Sequence, residues 1–432
     1  MDASLKFQGD TVSISSCCLN PLHTRFLGGI EHFFWLADQN RPTHFAMVAK
    51  VKGPTSIDQW RHAIGEVHAM HVVLRSRIEV DVTGSPFFIL IPECEPSLRI
   101  VGTGIWSWED EVALELQSPF VVGDGPLVRF VLHYNSSCAT LIIVAHHAIA
   151  DGMSAAYLFR DILSVLAEGQ SRQANAPFQN LEFIESLETH LVDQMLESAV
   201  EGQITPMQSA QPRTANFRPI SGNLPHVEAY ALNRACTARL IASSRERGIT
   251  IHSALGAALS LASRNLTGSS GTSMRLFSPV NMRQSLATNN EAIGVFIAAI
   301  TNDVPLSDNE LWSSASAFAE LLRAERTPAR LLQSIDGLAR VMSTRPAVAQ
   351  VAALLHSHLN WDILLSNLGV LPIPNRYGPV KLKEIWGPIV SLGFAEEQVV
   401  GVATLGSTLR LVHTSYSPID GLLAEAARLL SG

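Results

Sequence analysis

In the stretch LIIVAHHAIADGMSAAYLF, residues 141–159, an aliphatic run ends in two adjacent histidines and then passes into a helical pattern. His146 and His147 close the run, and Asp151 and Gly152 follow the second histidine by four and five residues. The aliphatic run predicts a buried strand, and the segment after Gly152 predicts a helix that ends at a glycine. The histidine pair is therefore expected where a strand turns into a helix.

The surrounding segments predict a mixture of strands and helices. PLVRFVLHY (126–134) and ATLIIVAHH (139–147) are separated by four residues and predict a β-hairpin. SIDQWRHAIGEVHAMH (56–71) predicts an amphipathic helix, and Ser56 with Gln59 three residues later has the pattern of a capping box. The fold class predicted from this mixture is α/β, of the α+β sandwich type.

The chain is predicted to contain two domains of ordinary size. It has 432 residues, and the pattern of alternating strand-like and helix-like segments is interrupted at residues 202–225, GQITPMQSAQPRTANFRPISGNLP. This segment has four prolines and no sustained periodicity. This segment predicts an extended linker. We therefore expect one domain over residues 1–201 and a second over residues 226–432, with similar proportions of strand and helix in each.

Composition and charge exclude several classes of protein. Hydrophobic residues make up 47% and charged residues 16% of the chain, and the mean hydropathy is +0.18. These values predict a large buried core and exclude disorder. A net charge of −8 argues against nucleic acid as a partner. No aliphatic run is long enough to span a bilayer, and the polar start of the chain has no apolar leader segment. Five cysteines without metal-ligand spacing favour a reduced, cytoplasmic protein.

Three interpretations of the histidine pair compete. Adjacent histidines on an extended segment point to opposite faces, which disfavours a shared metal ion, and we expect no metal site. A buried histidine without chemistry is the second interpretation. The third is general acid–base catalysis, because histidine accepts and releases a proton near neutral pH. The position of Asp151, where it can cap the next helix or orient an imidazole, favours the third. Because the chain has no G-x-S-x-G pattern, we expect direct transfer without a covalent intermediate.

The segment AHHAIADG (145–152) resembles the HHxxxDG motif of the chloramphenicol acetyltransferase-like superfamily. That group includes plant BAHD acyltransferases, mycobacterial polyketide-associated acyltransferases and the condensation domains of nonribosomal peptide synthetases. QSPFVVGDGPLVRFVLH (117–133), SPVNMRQ (278–284) and LLSNLG (364–369) also resemble segments of this superfamily. The DFGWG motif of the BAHD enzymes is missing from the sequence. The resemblance is therefore greatest to stand-alone, polyketide-associated acyltransferases.

The resemblance implies a fold, a reaction and a set of partners. The fold would be two chloramphenicol-acetyltransferase-like domains in a V arrangement with a tunnel between them. The reaction would move an acyl group from a thioester, on coenzyme A or on a phosphopantetheinyl carrier protein, to a hydroxyl, without a further cofactor. Amide formation on an amine acceptor is the alternative, and an inactive scaffold is a third. An acyl carrier protein or a polyketide synthase is implied as a partner, and a monomer is expected.

The resemblance also implies roles for individual residues. His147 would be the general base, while His146 and Asp151 would support it structurally. Asp151 would form a buried ion pair, and Arg283 is the partner that we predict for it.

The remaining implied roles concern stabilisation of the reacting carbonyl. Gly152 would offer a backbone N–H, and Asn367 a side-chain donor, to the negatively charged oxygen of the tetrahedral intermediate. Ser366 would contribute a further side chain to substrate binding.

Overall fold

The computed structural model describes residues 23–102, 104, 106–168, 182–192, 216–218, 223–286, 291–307, 310–357 and 361–431. The predicted linker, residues 202–225, lies outside this part of the chain except for 216–218 and 223–225. The domain boundaries at residues 201 and 226 therefore stay predictions.

The described residues form strands and helices that are mixed along the whole chain. The strands are β1 (Thr24–Phe26), β2 (Phe45–Lys52), β3 (Ser76–Val80), β4 (Pro86–Leu90), β5 (Ser97–Gly102), β6 (Val128–Asn135), β7 (Cys138–Ala145), β8 (His226–Ala231), β9 (Ser273–Asn281), β10 (Ile297–Pro305), β11 (Ile363–Val370), β12 (Arg376–Tyr377), β13 (Val380–Ile389), β14 (Gln398–Leu405) and β15 (Thr408–Ser415). The helices are α1 (Gly29–Asn40), α2 (Ile57–Met70), α3 (Trp108–Gln117), α4 (Gly152–Glu168), α5 (Arg234–Glu246), α6 (Ile251–Thr267), α7 (Leu311–Glu325), α8 (Pro328–Ser343), α9 (Val348–Ser357) and α10 (Leu422–Ser431).

The first sheet has the strand order β12-β13-β2-β7-β6-β5. Its strands β6 and β7 form the predicted hairpin, in antiparallel register from Val128 opposite Ala145 to Asn135 opposite Cys138. Strand β13 comes from the second half of the chain and pairs antiparallel with β2. The second half thus completes a sheet that is otherwise built by the first half.

The second sheet has the strand order β10-β9-β11-β14-β15-β8, and a small sheet has the order β1-β4-β3. In the second sheet β11 is parallel to both β9 and β14, whereas the pairs β10–β9, β14–β15 and β15–β8 are antiparallel. Two mixed sheets with helices confirm the predicted fold class. The V arrangement and the tunnel stay predictions.

Burial on both faces explains the uninterrupted aliphatic run in β7. Ile143 faces a core shared with α2 and α4, while the neighbouring Ile142 and Val144 face a separate cluster that includes Trp108 of α3. A strand covered on both faces needs apolar side chains at successive positions rather than alternate ones. Helix α2 begins as predicted, because the Ser56 hydroxyl accepts a hydrogen bond from the backbone N–H of Gln59.

The two sheets approach each other closely at β13 and β14. A Cβ atom placed on Gly401 of β14 would lie 1.8 Å from the carbonyl oxygen of Pro388 in β13, so only glycine fits there. The missing side chain at Gly401 therefore allows the end of the first sheet to lie directly against the second sheet. None of the helices in the described ranges is both long and apolar enough to cross a membrane.

Candidate active site

The histidine pair lies in a tight turn between β7 and α4. Strand β7 ends at Ala145, and the backbone N–H of Ile149 donates to the carbonyl of His146 at 3.0 Å. Asp151 caps the following helix, because its Oδ1 accepts from the backbone N–H of Ser154 at 2.9 Å. The strand, the turn and the capped helix therefore position both histidines through local backbone structure.

His147 lies against two phenylalanines and lines a cavity. Its ring stacks on Phe34 of α1, with centroids 4.0 Å apart and planes 5° from parallel, and lies 4.8 Å from the ring of Phe45. Its Nδ1 is buried, which leaves Nε2 as the nitrogen able to reach the cavity. Removal from bulk water lowers the pKa of His147 to about 4, although the negative charge of Asp151 acts in the opposite direction. The ring is therefore neutral and able to accept a proton at pH 7.

His146 is fully buried and points away from that cavity into a polar cluster. Its Nδ1 accepts from the backbone N–H of Ala148 at 3.1 Å, and its Nε2 lies 3.5 Å from Oδ2 of Asp38. Asp38 also lies 3.7 Å from Nδ1 of His44. Burial alone would raise the pKa of Asp38, but the close approach of the two imidazoles to its carboxylate outweighs burial and lowers it. The contacts of His146 with Asp38 and with the backbone of Ala148 therefore stabilise the buried side of the turn.

Asp151 forms a buried ion pair with Arg283, the partner predicted for it. Arg283 Nη1 donates to Asp151 Oδ2 at 2.6 Å, and both side chains are at most 3% exposed. The same carboxylate oxygen accepts from the backbone N–H of Phe296 at 3.0 Å. Burial would raise the pKa of Asp151, but the charge of Arg283 and these hydrogen bonds outweigh it and lower the pKa. The carboxylate is therefore ionised and fully engaged in structural contacts.

Arg283 extends this ion pair into a network across the two halves of the chain. Its Nη2 donates to Ser154 Oγ at 2.8 Å and to the carbonyl of Ala292 at 3.2 Å. The Ser154 hydroxyl in turn donates to the carbonyl of Gly294 at 2.8 Å. The start of α4 is consequently bound to the loop before β10.

A cavity of about 510 Å³ opens beside His147, and both halves of the chain contribute to its wall. Most of its lining is apolar, including Phe33 and Phe34 of α1 and Leu338 of α8. Its polar lining residues are Thr43, His147, Asp151, Glu188, Asn281, Arg283, Gln333, Ser334, Ser366 and Asn367. A mostly apolar cavity that also has polar groups in its wall is typical of a small-molecule site.

Gly152, Ser366 and Asn367 line the same cavity as His147. Gly152 begins α4, and a Cβ atom there would lie 2.6 Å from Cγ of Pro388. Asn367 Oδ1 accepts from the backbone N–H of Gly369 at 2.9 Å, which orients its amide group. The structure brings these residues to one cavity, while their roles as oxyanion donors and substrate contacts stay predictions.

Two residues of this site are not indicated by the sequence patterns. Phe34 supplies the stacking partner of His147, and Asp38 faces His146. Both belong to GGIEHFFWLAD, residues 28–38, a segment that resembles the opening segment of the superfamily's polyketide-associated and alcohol-acylating branch. That resemblance does not indicate which distant side chain each residue contacts.

A strand-turn-helix carrying HHxxxDG, two mixed sheets and a shared cavity define the class of chloramphenicol-acetyltransferase-like proteins. The family model described as "Condensation domain" matches residues 33–337, which is more than half of the chain. The chain belongs to the condensation domain family.

One relative by sequence is a linear gramicidin synthase from Brevibacillus parabrevis. It is 23% identical over 440 residues, which cover 90% of this chain and 5% of that protein. The chain spans no more than 14% of the length of the curated relatives that it matches. These relatives are therefore far longer proteins, and this chain corresponds to a small part of each.

Two solved structures share the fold over nearly the whole chain. Polyketide synthase associated protein 5 from Mycobacterium tuberculosis superimposes with a TM-score of 0.65 and 18% identity, covering 94% of this chain and 96% of that one. The TRI3 trichothecene 15-O-acetyltransferase from Fusarium sporotrichioides superimposes with a TM-score of 0.69 and 12% identity, covering 94% of both chains. At these identities the likeness concerns the fold.

Proposed function

We propose that this protein is an acyltransferase that moves an acyl group from a thioester donor to a hydroxyl of a small-molecule or polyketide acceptor. The donor would be acyl-coenzyme A or an acyl carrier protein, and no further cofactor takes part. The observation that carries the proposal is the placement of a neutral, half-buried His147 at the wall of a mostly apolar cavity. An acyl chain can occupy such a cavity with its thioester close to the imidazole.

The proposed step uses the accessible nitrogen of His147 as a general base. The imidazole accepts the proton of the acceptor hydroxyl as its oxygen attacks the thioester carbonyl carbon. The tetrahedral intermediate then expels the thiolate as the carbon–sulfur bond breaks, and the imidazolium returns the proton to sulfur. The N–H of Gly152 and the amide of Asn367 are the groups proposed to stabilise the negatively charged oxygen. The products are an ester and a free thiol.

Amide formation is the second candidate function, with an amine in place of the hydroxyl. The specific observation in its favour is the match to the condensation domain family together with relatives named as peptide synthetases. The same histidine would serve both reactions, since each acceptor must lose a proton on attack. The hydroxyl acceptor stays the first candidate because the sequence resembles stand-alone, polyketide-associated acyltransferases most, and the fold is shared with an O-acetyltransferase, TRI3.

Thiol release from a panel of acyl-coenzyme A donors tests the proposal. Each donor is incubated with the protein alone, with simple alcohols and with simple amines, and the products are identified by mass spectrometry. Acceptor-dependent release with ester products is the expected result. Amide products alone would replace the first candidate by the second. If coenzyme A donors give nothing, the panel is repeated with acylated carrier proteins, and failure there as well would reject acyl transfer.

The pH dependence of turnover is expected to follow the lowered pKa of His147. A general base acts in its neutral form, so kcat/KM should stay level from pH 7 to pH 5 and fall only near pH 4. A fall with a midpoint near pH 6.5 would contradict this environment for the catalytic base.

The lowered pKa of His147 also affects stability, because on acidification His147 takes up a proton in the unfolded chain at a higher pH than in the folded protein. The folded state therefore loses stability as pH falls below about 6.5, and circular dichroism at each pH serves as the control.

A further inference from the structure

Two histidines and a glutamate, residue types that can bind metals, meet at the β8 edge of the second sheet, on strands far apart in the sequence. His226 and Glu228 lie two residues apart on the edge strand β8 and so point to the same face. His413 on the adjacent strand β15 is directly opposite Glu228 in the antiparallel register. We call these three residues the edge cluster.

The ligand atoms of the edge cluster lie close together without bonding to one another. Glu228 Oε2 lies 3.9 Å from Nε2 of His226 and 4.0 Å from Nδ1 of His413, which is too far for a hydrogen bond. The two imidazole rings face each other edge to face, with centroids 6.1 Å apart. One ligand atom from each residue lies within 4.8 Å of the other two. These separations are short enough for the three residues to bind one ion after a small side-chain movement.

His413 is the residue that indicates what this space holds. Its side chain is fully buried, and its Nδ1, aimed at Glu228, has no hydrogen-bond partner in the described part of the chain. Its Nε2 lies 2.8 Å from Oε1 of Gln398. A buried imidazole nitrogen without a partner is costly unless a proton donor or a cation satisfies it.

The amide of Gln398 determines which nitrogen of His413 carries the proton. Gln398 Nε2 donates to the carbonyls of Glu396 and Ser417 at 3.0 and 2.9 Å, and its Oε1 accepts from the backbone N–H of Ile419 at 3.2 Å. Oε1 is therefore the acceptor that faces His413, and a neutral ring donates from Nε2. Its Nδ1 then presents a lone pair to the edge cluster. Hydrogen bonding that fixes the tautomer in this way is typical of histidines that bind metals.

Although the sequence predicts no metal site, we propose that His226, Glu228 and His413 bind a divalent transition-metal ion of the zinc type, with water as a fourth ligand. In a tetrahedral zinc site the ligands lie about 2.0–2.2 Å from the ion, so ligand atoms are roughly 3.4 Å apart. The two separations from Glu228 Oε2, 3.9 and 4.0 Å, exceed this by about half an ångström, and the two histidine nitrogens lie within 4.8 Å of each other. The His226 side chain is 45% exposed and can move inward, and its exposure also gives the ion a path of entry.

The donor set selects among cations. Two imidazoles and one carboxylate suit zinc and its neighbours, whereas calcium and magnesium prefer ligand sets made of oxygen atoms. A bound ion would add a side-chain link between β8 and β15, which already pair through backbone hydrogen bonds. The site differs from the proposed acyl-transfer site, since none of its three residues lines that cavity.

Metal binding by the whole, tag-free chain tests this proposal. After treatment with EDTA and dialysis, the wild type is titrated with Zn²⁺ by calorimetry and its thermal midpoint is followed with and without the ion. We expect one Zn²⁺ per chain and a raised midpoint, with little response to Mg²⁺ or Ca²⁺. Co²⁺ in place of Zn²⁺ should give the visible absorption of a tetrahedral site.

Two variants and a matched control assign the binding to the edge cluster. His226→Ala and Glu228→Gln each remove one ligand from a partly exposed position, and each should weaken Zn²⁺ binding at least tenfold. His62→Ala, on helix α2, removes a histidine outside the cluster and should bind like the wild type. Absence of stoichiometric binding, or equal binding by the wild type and both ligand variants, would overturn the proposal. Neither result depends on acyltransferase activity.

Discussion

Replacing His147 by alanine is expected to lower kcat/KM for acyl transfer by about 10²–10⁴-fold, because a positioned general base contributes a factor of this size. The loss should fall on kcat more than on KM, since the cavity that receives the donor is otherwise intact. The measurement is steady-state thiol release with the donor and acceptor that the panel identifies.

A second substitution separates proton transfer from packing. His147 stacks on Phe34 and contacts Phe45, so alanine also removes ring contacts. His147→Phe keeps an aromatic ring at this position but has no nitrogen that can accept a proton. Both variants should lose activity to a similar extent while keeping near-wild-type thermal midpoints. Undiminished turnover by His147→Phe would show that this histidine is not the base.

Removal of the Asp151 carboxylate is expected to cost about 3–5 kcal/mol of the free energy of unfolding. Asp151→Ala would leave the Arg283 guanidinium buried without its counter-ion, and breaking such a pair from one side has a cost of this size. The variant should unfold at a lower denaturant concentration, followed by tryptophan fluorescence. Asp151→Asn keeps the shape of the side chain and provides a second measurement if the alanine variant is insoluble.

An exposed ion pair in the same protein provides the matched control. Asp336 accepts from Arg340 at 2.7 Å on helix α8, but the arginine side chain is 76% exposed. Asp336→Ala should cost less than about 1 kcal/mol, because water replaces the lost interaction. If Asp151→Ala destabilises the protein no more than Asp336→Ala, Asp151 has no special structural role. Any loss of turnover in Asp151→Ala would then have to come from a direct role of Asp151 in the reaction.

Much of the local structure is predictable from the sequence. The hairpin of β6 and β7, the capped start of α2 and the helix after the histidine pair agree with the predicted segments, because period-two and helical patterns depend on near neighbours. The resemblance of AHHAIADG and of SPVNMRQ to known motifs also indicates His147, Asp151 and Arg283 without any knowledge of their geometry.

Other features of the site have no local signal. The KLKEIWG region of β13 is not recognisable from its pattern as a strand of the first sheet, since pairing with β2 depends on the path of the whole chain. Asp38 lies in a helical segment whose periodicity does not show that it faces His146. The cavity likewise depends on how helices from both halves pack around His147.

The sequence by itself determined the class of fold, the strand-turn-helix around the histidine pair and the family to which the chain is similar, because these depend on residues close together in the chain. Only the tertiary structure decided that the second half completes the first sheet, and that His413 meets Glu228. Such contacts arise from pairing between distant strands. Their register is set by burial of whole sheet faces rather than by any short pattern.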